Sequence, residues 1–241
     1  MAQVAPRHFV LIHGIWHGGW CWDRVAPILR ERGHAVTALT QTGLGERSHL
    51  LSTEITVDTF VADLVNTLVW RDLHDVVVVG HSFGGITVTG AADAVPERIA
   101  KLIYLDAAIV EDSETWFGLL PEDIAADRLR QGEESSGGLS LPVAPVESFG
   151  VTAPDDKAFL EGCLMPHPLG TFTTPVKLNN PVGNGLPVAY IACTAPPYPP
   201  AKGAHERARA KGWPMHELAT GHDAMVLAPQ DTANLIERLG G

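Results

Sequence analysis

Ser82 stands in Gly80-His81-Ser82-Phe83-Gly84, a Gly-x-Ser-x-Gly pattern that follows four consecutive valines, Val76 to Val79. A serine hydroxyl becomes a nucleophile toward a carbonyl carbon when a neighbouring base takes its proton, which is the chemistry of acyl transfer. Far downstream, Thr220-Gly221-His222-Asp223-Ala224-Met225 offers a histidine in a loop after the last strand-like run, where a general base can reach such a serine. Between the two, Lys101 to Leu105 ends in Asp106-Ala107-Ala108, placing an acid at the end of another strand-like run. Acyl transfer also needs donors for the charge that develops on the carbonyl oxygen. The backbone N–H of Phe83, at the start of a helix, supplies one. The loop His13-Gly14-Ile15-Trp16-His17-Gly18-Gly19 after the first strand supplies a second, for which Ile15 is the choice.

These residues can meet only if strands and helices hold them on one edge. A run of β-branched residues suits a strand buried on both faces of a parallel sheet, and Gly80, Gly84 and Gly85 let the chain turn sharply from that strand into a helix. No Gly-Lys-Ser/Thr follows and the spacing does not fit a dinucleotide fingerprint, so a phosphate-binding loop is disfavoured. Strands are expected at His8 to Ile12, Ala35 to Leu39, Val76 to Gly80, Lys101 to Leu105, Pro187 to Cys193 and Met215 to Ala219. Helices are expected at Trp22 to Arg32, from Asp58 as cap with Phe60, Leu64, Val65, Leu68 and Val69 facing inward, at Gly84 to Ala94, Ala201 to Lys211 and Pro229 to Leu239. This alternation predicts an α/β class with a mostly parallel sheet.

The alternation breaks between Ile109 and Leu186, a stretch with eight prolines, a soft segment from Gln131 to Ser140 and scattered large apolar side chains. Residues 109–186 are read as a cap inserted over the active edge of a core made of 1–108 and 187–241. Trp16, Trp116, Phe117, Leu164 and Met165 are expected to line a substrate pocket. Trp20 and Trp22 read better as core aromatics.

With 241 residues, 45% of them hydrophobic, the chain can build a substantial core. A net charge of −11 without a basic cluster argues against nucleic acid and anionic membranes as partners. No basic leader or long apolar span is visible, and Cys21, Cys163 and Cys193 read as buried thiols, so a cytoplasmic location is expected. His13 and His17 are four apart, but in a glycine-bearing loop rather than on a helix, and no metal site is expected.

The His-Gly loop, the GHSFGG turn and TGHDAM, in that order, resemble the α/β-hydrolase superfamily. The opening FVLIHG-x-W-H-GGWCW is similar to that of the hydroxynitrile lyase and plant methylesterase group and its bacterial esterase relatives. The resemblance implies the α/β-hydrolase fold, Ser82 as nucleophile, His222 as base, the Ile15 and Phe83 amides as oxyanion hole, and no cofactor. The apolar cap suggests a small to medium hydrophobic ester, and the bacterial relatives that the chain resembles include hydrolases of pyrethroid and carbamate esters; a monomer or homodimer is expected. Lyases of the group carry lysine after the base and threonine after the first-strand histidine, where this chain has Asp223 and Gly14, so hydrolysis is favoured over C–C lysis. A ligand receptor on a hydrolase scaffold is a third possibility. The family usually places its acid after the strand corresponding to Val188 to Cys193, but TAPPYPPAKGAHE contains no aspartate there. Asp106 resembles the alternative position of pancreatic-type lipases and is preferred to Glu206.

Overall fold

A computed structural model describes residues 5–241. Six parallel strands form one sheet in the order β2-β1-β3-β4-β7-β8: β1 His8–Ile12, β2 Ala35–Leu39, β3 Val76–His81, β4 Ile99–Leu105, β7 Val188–Cys193 and β8 Met215–Leu218. The chain starts at β1, steps outward to β2, then returns to the other side of β1 for β3. Loops leaving the carboxyl ends of β1 and β3 therefore part at that edge, where open parallel sheets hold their sites.

All six residues of β3 are buried, as its valine content requires of a strand covered on both faces. Phe9, Leu11, Val77, Val79, Ile103 and Ile191 point into one apolar layer, and Val10, Val78, Leu102, Tyr104 and Tyr190 into the other. Helices α1 (Ala26–Glu31), α2 (Val57–Trp70), α3 (Gly84–Ala94), α7 (Lys202–Ala210) and α9 (Pro229–Gly240) cover the sheet, with the short α8 (Ala224–Leu227) before the last.

Some local expectations are corrected. The helix expected from Trp22 is only a 3₁₀ turn over Gly19–Trp22, and α1 begins at Ala26, because Pro27 lacks an N–H and fits only the first helical turn. Helix α2 is capped by Thr56, whose side chain and that of Thr59 bond reciprocally to the backbone, while Asp58 sits in the first turn. Its buried stripe is Val57, Phe60, Leu64 and Leu68; Val69, 36% exposed, has rotated past it.

Between β4 and β7 lie α4 (Glu122–Ser136), α5 (Pro154–Cys163), α6 (Gly170–Thr173) and a two-stranded antiparallel ribbon of β5 (Ser140–Leu141) with β6 (His167–Pro168). The segment expected to be soft from Gln131 is helical through Ser136, where Gly137 at φ 62° ends α4 by returning its N–H to Glu133 O. Cys21 and Cys193 are buried; Cys163, at the end of α5, is half-buried. Among the described residues no helix is long and apolar enough to cross a membrane.

Candidate active site

The turn from β3 into α3 is too crowded for side chains on its glycines. A Cβ on Gly80 would lie 2.9 Å from Gly84 O, and one on Gly84 would lie 2.7 Å from His13 O. Between them Ser82 takes φ 52°, a strained left-handed conformation for a residue with a side chain. Backbone bonds over-determine it: Ser82 N–H donates to Leu105 O at 3.2 Å, and Ser82 O accepts from Gly85 and Ala108 N–H at 3.1 and 2.9 Å. Asp106, at φ 46°, is pinned likewise by its N–H to Ile191 O at 2.7 Å.

Strain and pinning bring three side chains into line. Ser82 Oγ lies 2.9 Å from His222 Nε2, and His222 Nδ1 lies 2.7 Å from Asp106 Oδ2. A carboxylate only accepts, so Nδ1 carries the ring hydrogen and Nε2 is left to accept from the serine. Burial would raise the Asp106 carboxyl's pKa, but hydrogen bonds from His205 and His222 hold it well below the usual carboxylate range. The His222 backbone is fixed as well: its N–H donates to Phe149 O at 3.1 Å, and its carbonyl accepts from His81 Nε2 at 3.0 Å. Tyr198 stacks on the His222 ring with centroids 4.0 Å apart and planes 28° apart.

Among the described residues, the Phe83 amide, at the start of α3, and the Ile15 amide find no acceptor. The backbone around Ile15 is clamped by histidines. His13 Nδ1 donates to Gly14 O at 2.8 Å, His17 Nδ1 donates to Ile15 O at 2.7 Å, and Trp16 N–H, from a residue at φ 66°, donates to His167 Nδ1 at 3.1 Å. Asp223 is fully buried with Oδ2 3.4 Å from His17 Nε2. Burial opposes both charges, yet the pair prevails, holding the Asp223 carboxyl below its usual range and His17 above its own. So the histidines that invited a metal reading serve backbone and carboxylate groups instead, and among the described residues no His/Cys/Asp/Glu cluster has metal-binding geometry.

Burial pushes His13 and His81 down to about 3 and His167 well below its ordinary value. From about pH 6.5 down to about 3 the unfolded chain therefore takes up protons that the native form refuses. Stability is expected to fall across that window as pH drops, by up to roughly 1.4 kcal/mol per pH unit for each such histidine. Urea midpoints measured at several pH values check this; a constant midpoint between pH 7 and 5 contradicts it.

Ser82 faces two unequal spaces. One is a cavity of about 590 Å³ lined mainly by Trp116, Leu119, Leu120, Pro121, Tyr198 and Ala204, with Glu206 and Arg207 among its few polar contributors. The other is a cleft of about 10 Å³ lined by Ile15, Trp16, His17, Tyr198 and Asp223, room for about one water.

Of the residues expected in a substrate pocket, Trp116 lines the large cavity and Trp16 the small cleft. Phe117, Leu164 and Met165 line neither. Phe117 is buried and stacks on Phe172 at 5.1 Å, Leu164 packs on the core, and the Met165 sulfur accepts the Gly45 N–H at 3.1 Å. The Glu206 carboxylate is exposed and 3.9 Å from Lys202, whereas His222 Nδ1 bonds Asp106. Trp22 is fully buried, and Trp20 stacks on His17 at 5.3 Å. Sequence reasoning missed Tyr198 and His205. A tyrosine among prolines in a loop at the carboxyl edge is a usable signal for the first; His205 gives none.

The family model described as "Alpha/beta hydrolase family" matches residues 9–235. A carbendazim hydrolyzing esterase of Nocardioides sp. (strain SG-4G) is 34% identical over 245 residues, which cover 97% of this chain and 99% of that protein. An alpha-hydroxynitrile lyase of Arabidopsis thaliana is 39% identical over 102 residues, only 42% of this chain and 40% of that one. In structure, an extracellular alpha/beta-hydrolase from a Paenibacillus species superposes with a TM-score of 0.83 over 98% of this chain and 99% of its own. At 21% identity that likeness concerns the fold.

Proposed function

The chain belongs to the alpha/beta hydrolase family, and on that premise we propose that it is a serine esterase that cleaves carboxylic esters through an acyl-enzyme. The observation that carries the reading is the unbroken line Ser82 Oγ, His222 Nε2, His222 Nδ1, Asp106 Oδ2, with separations of 2.9 and 2.7 Å at its two hydrogen bonds.

In the mechanism, His222 Nε2 takes the Ser82 proton as Oγ attacks the carbonyl carbon, and Asp106 stabilises the imidazolium so formed. The free N–H groups of Ile15 and Phe83 receive the oxyanion, with the positive end of α3 behind Phe83. Collapse expels the alcohol, which takes its proton from His222; water then gives His222 a proton as it attacks the acyl carbon, and the Oγ–C bond breaks to release the acid as His222 returns that proton to Ser82 Oγ. The residues of 109–186 act as a cap, with Trp116, Leu119 and Leu120 forming one wall of the large cavity. That apolar cavity suits a hydrophobic acyl or alcohol group of small to medium size. Kinship over nearly the whole chain with the carbendazim hydrolyzing esterase puts carbamate esters beside simple ones as substrates to test, and the resemblance of the opening motif adds pyrethroid esters as a third class.

The lyase reading is disfavoured by space as well as charge. A Cβ on Gly14 would lie 2.8 Å from Ser82 Cβ and 3.1 Å from His81 Nδ1, so this loop has no place for the threonine of the lyases. The residue after the base is the buried acid Asp223, which repels rather than holds cyanide. A fluorophosphonate probe is expected to label Ser82 stoichiometrically, while mandelonitrile yields no cyanide above the buffer background. An unlabelled, folded protein would favour a receptor, and enzymatic cyanide release a lyase.

A further inference from the structure

His205 sits on α7, in a helix whose composition reads as a solvated surface. Its Nε2 nevertheless lies 2.6 Å from Asp106 Oδ1, the oxygen that His222 does not use. Three donors thus converge on one buried carboxylate: His222 Nδ1 at 2.7 Å on Oδ2, and His205 Nε2 at 2.6 Å with Cys193 N–H at 3.1 Å on Oδ1. The Asp106 side chain is inaccessible and that of His205 is 13% exposed. Tyr190 packs edge-on against the His205 ring, centroids 5.5 Å apart and planes 77° apart, which fixes where Nε2 points.

On the reading of Ser82, His222 and Asp106 given above, we propose that His205 is a positioning residue for ester hydrolysis, holding the Asp106 carboxylate from the side opposite His222. Two physical needs support the role. The torsion that sets a carboxylate plane is soft, with a broad minimum, so one hydrogen bond on Oδ2 does not fix the plane that orients His222. The Cys193 N–H, longer and fixed to the β7 backbone, restrains Oδ1 from one direction, and His205 supplies the second. The other need is electronic. A donor on Oδ1 lowers the basicity of the carboxylate, so the Nδ1 proton stays on the imidazole instead of passing to the aspartate when Nε2 takes the proton of Ser82. His205 acts through Asp106 and His222 and touches no reacting atom.

The test compares His205→Ala, His205→Gln and His205→Asn in the full chain, with fluorophosphonate labelling of the wild type run alongside. Loss of a charge-assisted bond to a buried carboxylate lowers the rate by about tenfold or more. His205→Ala is therefore expected to lose about that much kcat with KM nearly unchanged, and the low-field proton resonance of His222 Nδ1–H should leave its wild-type position. Glutamine places an amide N–H near the position of Nε2 and should restore most of kcat. Asparagine, one carbon shorter, should not. Wild-type kcat in His205→Ala overturns the proposal, as does equal impairment of the glutamine and asparagine variants, which would mean the ring only fills space. If His205→Ala does not fold, the glutamine and asparagine pair decides alone. A wild-type protein that the probe does not label at Ser82 defeats the parent reading instead, whatever the His205 variants do.

Discussion

Ser82→Ala is expected to abolish ester hydrolysis, with kcat lower by a factor on the order of 10⁴ to 10⁶, and to leave the fold intact. The loss is large because the covalent intermediate forms on Oγ, and the His222–Asp106 pair has nothing to activate without it. The fold survives because, among the described residues, the Ser82 side chain bonds His222 alone, while the turn is held by backbone bonds to Leu105, Gly85 and Ala108. Alanine must adopt φ 52°, as serine already does. Steady-state kinetics on a chromogenic ester, with circular dichroism as the folding control, make the measurement. A folded variant that keeps more than a few per cent of the activity shows that Ser82 is not the nucleophile.

Asp106→Asn is the second large effect, with an expected loss of at least about two orders of magnitude in kcat; the same exchange in a serine protease triad costs about 10⁴. Geometry makes the amide a poor substitute here. Donors approach both oxygens, His222 on one and His205 and Cys193 on the other. An amide has one accepting oxygen and one donating nitrogen, so on one side hydrogen meets hydrogen. If the nitrogen faces His222, the ring adopts the tautomer that puts its hydrogen on Nε2, and Ser82 loses its base. If it faces the other side, it opposes the Cys193 N–H, which cannot change its role. Retention of about a tenth of wild-type kcat in folded Asp106→Asn, or a hundredfold loss in Glu206→Gln alone, would move the acid away from Asp106.

The turn at Ser82 was legible because several local signals agree there: valines for a doubly buried strand, glycines where strand and helix nearly touch, and a small-residue helix behind. His222 and Asp106 were legible from strand order alone, since a parallel sheet puts the loops after its strands on one edge. Phe117, Leu164 and Met165 show the limit of residue type. An apolar side chain in the segment before β7 suits a pocket wall and a packed interior equally, and here all three pack inward. The histidines around Gly14 to Trp16 were obscure for another reason. Their bonds run to backbone groups up to 151 positions away, and no periodicity or spacing encodes such a pairing. His205 was hidden because only one face of α7 meets the sheet edge, and a charged helix does not announce which of its polar residues turns inward.

The position of Asp106 at the end of β4 has a consequence for how this protein can change. Thr194 to Pro200, the loop after β7, holds no acid and owes the reacting groups only the stacking of Tyr198 on His222. Its Pro199 and Pro200, with Ala201, Gly203 and Ala204 beyond them, line the same large cavity as Trp116 and Leu119. Exchanges at Pro199, Pro200, Ala201, Gly203 and Ala204 can reshape what fits while leaving in place Tyr198, which stacks on His222, and His205, which bonds Asp106. In evolutionary terms the scaffold is modular, and repeated exchanges along these few positions are a short route from one ester to another.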